Sequence, residues 1–326
     1  MSNTPDGGKF RVEDITININ TVNRPGYLES CIESLLRTTP EGVPLQIVFN
    51  GTPEDIRQPP LELAKAWNGP TNFVILDDIL PIAASHNRAL ETIDTPLVNF
   101  MGDDDVVLGN RLPLIVDAFN STDPTPVCVT SYARRIAGDA YEPNIGSRKE
   151  MGPTTIQEWR RWHRSAEPFE MLWPGSVLDT EALRSIGGFS EAFANIFDVQ
   201  IFSNLSFVGP VISITDSQFG FRIHSGSNST KNWGSQRQLL RYFQVCHEAQ
   251  LDGIEPPTEE EFREIEAAQP AKQRNKRDRY EHAQLMFRIG GEHWLSGRRV
   301  EGLNHFARSL LSSPAAFVAK VGDQGF

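Results

Sequence analysis

Short apolar runs alternate with helical repeats through the first hundred residues of this chain, and that rhythm predicts an α/β fold. Residues 15–20, 46–50, 73–76 and 97–101 each read as a strand built from Ile, Val, Leu and Phe. Between the first two, Leu28, Ile32, Leu35 and Leu36 share one face of a helix that opens at the Pro25-Gly26 turn and runs to about Thr38. Residues 61–67 read as a short helix. Ile82, His86, Ala89, Leu90 and Ile93 share the face of another. Strands and helices alternating at these lengths argue for a largely parallel sheet with helices on both faces.

The middle of the chain is less regular. Residues 127–132 read as a buried strand, and the Gly-, Pro- and charge-rich segment 134–153 as a mobile loop. Residues 154–164, with Trp159 and Trp162, fit an amphipathic helix flanking a cleft. Thr180 opens a helix that stops at Gly187-Gly188, and residues 211–215 and 218–223 supply two late strands. Beyond about Gly234 the pattern turns helical and highly charged. This divides the chain into a main domain, 10–233, and an α-helical extension, 234–326. The pattern Ala283, Phe287, Gly297, Gly302, Phe306, Ala307, Pro314 is similar to one tetratricopeptide unit. A single unit cannot form a solenoid, so it reads as a capping or protein-docking element.

Composition narrows the function classes. With 326 residues, 39% hydrophobic and 22% charged, the chain has the make-up of a soluble globular protein. Its net charge of −11 argues against nucleic acid as a partner, since a phosphate-backbone binder needs a basic face. Cys31, Cys128 and Cys246 are few and far apart, which suggests neither a disulfide framework nor a zinc site. No apolar run is long enough for a transmembrane segment, and the start is too polar for a signal peptide. The expected location is the cytoplasm, with peripheral association at the inner membrane as a variant of it.

Candidate chemistry centres on Asp103-Asp104-Asp105, directly after the fourth strand. Carboxylates at the carboxyl end of a strand lie where open α/β sheets bind ligands, and they suit Mg²⁺ or Mn²⁺. The plainer alternative is an Asp-rich turn capping local backbone groups. Neither the P-loop signature nor G-x-G-x-x-G occurs.

Four further segments accompany the triplet. Residues 17–25 read Ile-Asn-Ile-Asn-Thr-Val-Asn-Arg-Pro, and 80–90 read Leu-Pro-Ile-Ala-Ala-Ser-His-Asn-Arg-Ala-Leu. Residues 173–191 run from Trp-Pro-Gly-Ser to Gly-Gly-Phe-Ser-Glu and are followed by Phe197-Asp198. Residues 219–229 read Phe-Gly-Phe-Arg-Ile-His-Ser-Gly-Ser-Asn-Ser. In order and spacing this set resembles the family 2 glycosyltransferases of the GT-A fold, from about Ile15 to Thr230. The resemblance implies a Rossmann-like, mostly parallel sheet flanked by helices.

It also implies roles. Thr21, Asn23, Arg24, Asn50, His86, Asn87, Asp103 and Arg222 would bind a nucleoside diphosphate sugar. Asp104, Asp105 and His224 would hold Mn²⁺ or Mg²⁺. Asp198 would be the general base that deprotonates a hydroxyl-bearing acceptor, whether glycan, lipid-linked or small molecule. The alternative role for Asp198 is a helix N-cap. Trp159, Trp162, Trp173 and Phe189 are either a platform under a sugar ring or core. The sequence departs from the family pattern at four points: Phe49 and Gly102 stand where Asp is usual, His86 where Arg is, and Phe197 where Glu is. With Phe197 beside it, Asp198 is expected in a drier setting, which strengthens a carboxylate base. The departures keep open a non-catalytic scaffold, and the acidic site alone would also suit metal-dependent phosphoester hydrolysis.

Overall fold

The computed structural model describes residues 9–22, 24, 26–138, 143–165, 167, 171–216, 218–222 and 232–324. They form two compact units, one of residues 1–134 with 150–222, the other of 135–149 with 223–326.

The first unit is built on a seven-stranded sheet. Ile15–Thr21 (β1) lies between Leu45–Asn50 (β2) and Leu97–Gly102 (β4), parallel to both. Thr71–Leu76 (β3) adds a parallel edge beside β2. On the other side, Ser176–Asp179 (β9) runs antiparallel to β4 and to Cys128–Ser131 (β6), and Val211–Ile214 (β10) closes that edge parallel to β6. The helices Tyr27–Thr38 (α1), Glu54–Ala64 (α2), Ile82–Glu91 (α3) and Leu112–Ser121 (α4) follow successive strands. Burial on both faces explains why β1 and β2 carry almost no exposed residue.

Polar residues inside these strands are paired with one another, as burial requires. Gln46 Nε2 donates to Asn18 Oδ1 and to the Ala89 carbonyl, each at 3.0 Å, and Asn72 Nδ2 donates to Gln46 Oε1 at 2.8 Å. This file of amides ties three strands to the end of α3.

Ile156–Ser165 (α5), Thr180–Ser185 (α6) and Phe197–Ser206 (α7) complete the unit, with the short strands Val106–Val107 (β5) and Phe219–Arg222 (β11) paired antiparallel. The second unit holds Ala133–Gly138 (β7) from Arg135 onward and Pro143–Lys149 (β8), then Trp233–Leu251 (α8), Glu259–Ala268 (α9), Ala271–Leu295 (α10), Arg299–Ser312 (α11) and Pro314–Gln324 (α12). Helices α10 and α11 pack with Gly290 against Gly302: a Cβ on Gly302 would sit 3.1 Å from the Gly290 carbonyl. No helix among the described residues is long and apolar enough to cross a membrane.

Three local expectations change. Two strands, β7 and β8, replace most of the loop expected over 134–153, because non-local pairing can order residues whose composition reads as loop. Helix α2 starts earlier than expected and carries Pro59 and Pro60; burial of Pro60 and Ala64 outweighs the missing donors. The cap of α6 is Asp179, whose carboxylate accepts from Ala182 N at 2.9 Å, and not Thr180.

Candidate active site

The acidic triplet stands at the carboxyl end of β4, beside the end of β1, as the register Asn20 to Gly102 requires. Its three carboxylates have different surroundings. Asp103 is fully buried: Thr21 Oγ1 donates to its Oδ2 at 2.6 Å, and Arg24 Nη2 donates to its Oδ1. Asp104 is partly exposed and accepts from Arg24 Nη1 at 2.9 Å. Asp105 is buried, and its Oδ1 accepts the backbone N–H of Arg222 at 2.9 Å. The Arg222 side chain closes the loop, with Nε donating to the Asp104 carbonyl at 2.7 Å and the guanidinium 5.0 Å from the centre of the Tyr27 ring. Thr21, Arg24, the triplet and Arg222 therefore form one site.

Gly102 has a steric reason here. A Cβ at this position would lie 2.8 Å from Asp105 Oδ2 and 2.9 Å from Asp104 Oδ1. The two carboxylates thus converge over the bare backbone, and the Asp usual at this point of the family pattern would displace them. Burial, together with the charge of Asp104, holds Asp105 well above the usual carboxylate range. Asp103 is raised to about 6 by burial, with Arg24 opposing and Asp104 adding to the rise.

Two converging carboxylate oxygens suit a hard divalent ion, which would also offset their mutual repulsion. Among the described residues no third His, Cys, Asp or Glu joins them as a metal-binding group. The positive charge at the site comes from Arg24 and Arg222. His224 and Asn23 lie outside the described residues.

Asn50, His86 and Asn87 are engaged elsewhere. Asn50 clamps the backbone of Leu80, donating to its carbonyl at 2.9 Å and accepting its N–H at 2.8 Å. Asn87 clamps Phe189 in the same way, at 2.8 and 2.9 Å. His86 is buried, with Nδ1 3.2 Å from Asn20 Nδ2 and its ring 5.2 Å from Phe100, 4.9 Å from Phe189 and 5.3 Å from Phe197. Burial lowers its pKa to about 4, so it is neutral at pH 7 and offers a diphosphate no charge.

The same aromatic cluster positions Asp198. Phe197 packs 5.2 Å from Trp173, and Trp173 stacks 5.5 Å from Phe100, three residues before the triplet. Asp198 follows Phe197 in the first turn of α7 and is half-buried. Trp173 and Phe189 are buried core side chains, which removes them as a sugar platform, whereas Trp162 lines an open cavity.

Sequence reasoning missed Arg111. It is buried, donates to the Gly175 carbonyl and lies 5.3 Å from the Phe219 ring, fastening the Gly175 turn to β11. No pattern signal marks a lone Arg after a turn as a buried anchor.

A parallel sheet reversed at β9, with paired carboxylates at the end of β4, defines a GT-A glycosyltransferase. The chain belongs to glycosyl transferase family 2, whose model matches residues 16–179. A teichoic acid poly(glycerol phosphate) polymerase of Staphylococcus epidermidis is 28% identical over 109 residues, which is 33% of this chain and 15% of that protein. Among solved structures, S. aureus TarS aligns over 89% of this chain with a TM-score of 0.54 and 13% identity, this chain spanning 53% of it. TarS 1-349 in complex with UDP-GlcNAc aligns over 95% of this chain and 92% of its own length (TM-score 0.55, 12% identity). The mannosyltransferase PcManGT of Pyrobaculum calidifontis, in complex with GDP-Man and Mn²⁺, aligns over 98% and 83% (TM-score 0.52, 13% identity).

Proposed function

We propose that the protein transfers a sugar from a nucleoside diphosphate sugar to a hydroxyl acceptor by a single inverting displacement. The observation that carries this reading is the convergence of Asp104 and Asp105 over Gly102, with Thr21, Asp103 and Arg222 around them. The complexes of TarS with UDP-GlcNAc and of PcManGT with GDP-Man and Mn²⁺ support it.

In this mechanism Asp198 takes the proton from the acceptor hydroxyl. Asp103, held by Thr21, orients the ribose. Arg24 and Arg222 supply guanidinium charge toward the diphosphate, a role suited to their bidentate geometry. Asp104 and Asp105 would hold Mn²⁺ or Mg²⁺, which as a Lewis acid offsets the charge of the departing diphosphate. The reading places the enzyme in glycan assembly, in the cytoplasm or peripherally at the inner membrane.

Thermal shifts with UDP, GDP, dTDP and CDP, each with Mn²⁺ and with EDTA, test the donor site. A nucleotide at about a hundred times its dissociation constant adds roughly 2.7 kcal/mol, or several degrees. A rise with one nucleotide that EDTA abolishes is the expected result; no rise with any of them refutes the donor site.

The neutral, buried His86 favours a second reading, a scaffold that binds nucleotide sugar without turnover. Transfer activity sensitive to Asp198→Asn rules that out.

A further inference from the structure

We infer that the exposed arginine face of α5, with the cavity beside it, is a subsite for a phosphodiester-containing acceptor chain. The inference rests on the glycosyltransferase reading and names the acceptor's chemistry.

Helix α5 reads Ile-Gln-Glu-Trp-Arg-Arg-Trp-His-Arg-Ser. Its aromatic residues turn inward. Trp159 and Trp162 pack against the core clusters, and His163 Nδ1 lies 2.8 Å from Ser206 Oγ on α7. Helical spacing then leaves Arg160, Arg161 and Arg164 exposed together. Elsewhere on the surface Arg88, Arg184 and Arg263 each pair with a glutamate three or four residues away. The side chains of the three on α5 make no ion pair or hydrogen bond among the described residues. The one acid on the helix, Glu158, is occupied at its Oε2 by the N–H and hydroxyl of Thr154, at 2.8 and 2.9 Å. Glu158 is near enough for the charge of Arg161 to act on it, so the face is partly offset but keeps a net positive charge, which in a chain of net charge −11 points to an anionic ligand.

The adjoining cavity shows what else that ligand carries. It measures about 360 Å³ and is lined by Tyr132, Thr154, Glu158, Arg161 and Trp162 among others. Aromatic faces interleaved with hydroxyl, carboxylate and guanidinium groups suit a polyol or sugar. The walls are rigid: Ser213 N donates to the Pro153 carbonyl and Ser213 Oγ to the Met151 carbonyl, both at 2.6 Å. Gly152, at φ +80°, lets this loop lie against Ser213.

Position explains why the acceptor is a chain. α5 docks on Ser206, and Asp198 lies at the other end of α7, about 12 Å away at 1.5 Å per residue. In the proposed pose the acceptor runs from the cavity along α7 to Asp198, which makes it a chain of more than one repeat. Alternating polyol and phosphate units would meet both the cavity and the arginines, where guanidinium groups bind phosphate oxygens bidentately.

Calorimetry with a synthetic phosphodiester-linked glycerol oligomer tests this against an uncharged malto-oligosaccharide, using wild type and the triple variant R160Q/R161Q/R164Q. The charged oligomer is expected to bind wild type, to weaken with added salt, and to lose about tenfold in affinity in the variant. Equal binding by both proteins, or a preference for the uncharged oligomer, overturns the inference. Binding through these arginines to vesicles containing anionic lipid, but not to the free oligomer, also overturns it and makes the face a membrane contact. Nucleotide thermal shifts on both proteins separate the two failures: an intact shift without oligomer binding refutes only this subsite, and no shift in either protein refutes the glycosyltransferase reading.

Discussion

Arg24 Nη1 donates to Asp104 Oδ2 at 2.9 Å, so a guanidinium stands against one of the two carboxylates that converge over Gly102. The same group also reaches Asp103. A monovalent cation held there competes electrostatically with a divalent one. Replacing Arg24 by Gln should tighten Mn²⁺ binding in the absence of nucleotide by about tenfold, read by electron paramagnetic resonance of free Mn²⁺. Unchanged affinity would mean the ion does not share this site.

Asp105 should separate stability from function. Its carboxylate is buried with a raised pKa, and its one oxygen bond, from Arg222 N, survives in an amide. Asp105→Asn should therefore melt at or above the wild-type temperature near pH 7, while sugar transfer falls by about a hundredfold or more. A variant that melts lower would show that the ionised carboxylate is needed for folding.

The Asp198→Asn variant should keep its nucleotide thermal shift and lose roughly 10²–10⁴-fold in turnover, the usual range for a general base. A loss of nucleotide binding instead would move Asp198 from the acceptor side to the donor side.

His86 sets a pH dependence. Burial places its pKa at about 4, below the ordinary value of roughly 6.5, so the unfolded chain takes up the proton first. Its contribution is intact above about pH 6.5 and is lost as the pH falls toward 4, amounting to about 3 kcal/mol in full. His86→Phe keeps the aromatic packing and leaves Asn20 bonded to Ser85 at 3.2 Å. Its stability relative to wild type should rise steadily from pH 6.5 to 4 in urea titrations. Asp103, raised to about 6 by burial, contributes the opposite slope, but it does so in both proteins and cancels from the difference.

Asn87 tests a division of labour. Its amide makes both backbone bonds to Phe189, so Asn87→Ala leaves two partly buried groups unpaired and should cost about 1–3 kcal/mol. Nucleotide affinity in the folded variant should be unchanged; a large loss would put Asn87 in contact with the donor.

The sequence determined the α/β order, the strand that delivers Asp103-Asp104-Asp105, and the neighbours Thr21, Arg24 and Arg222. Period-2 and period-3.6 patterns and turn residues act locally, and the acidic triplet follows directly from its strand. Tertiary structure alone decided which polar residues remain available to a ligand. Asn50, His86 and Asn87 sit at motif positions that suggest donor contacts, yet folding brings Leu80, Phe100 and Phe189 against them and uses their polar groups or buries them. The same holds for the tryptophans: Trp162 and Trp173 look equivalent in sequence, but one lines a cavity and the other fills the core. The reason is that a buried polar group must find a partner, and which partner lies within 3 Å depends on packing between elements far apart in the chain.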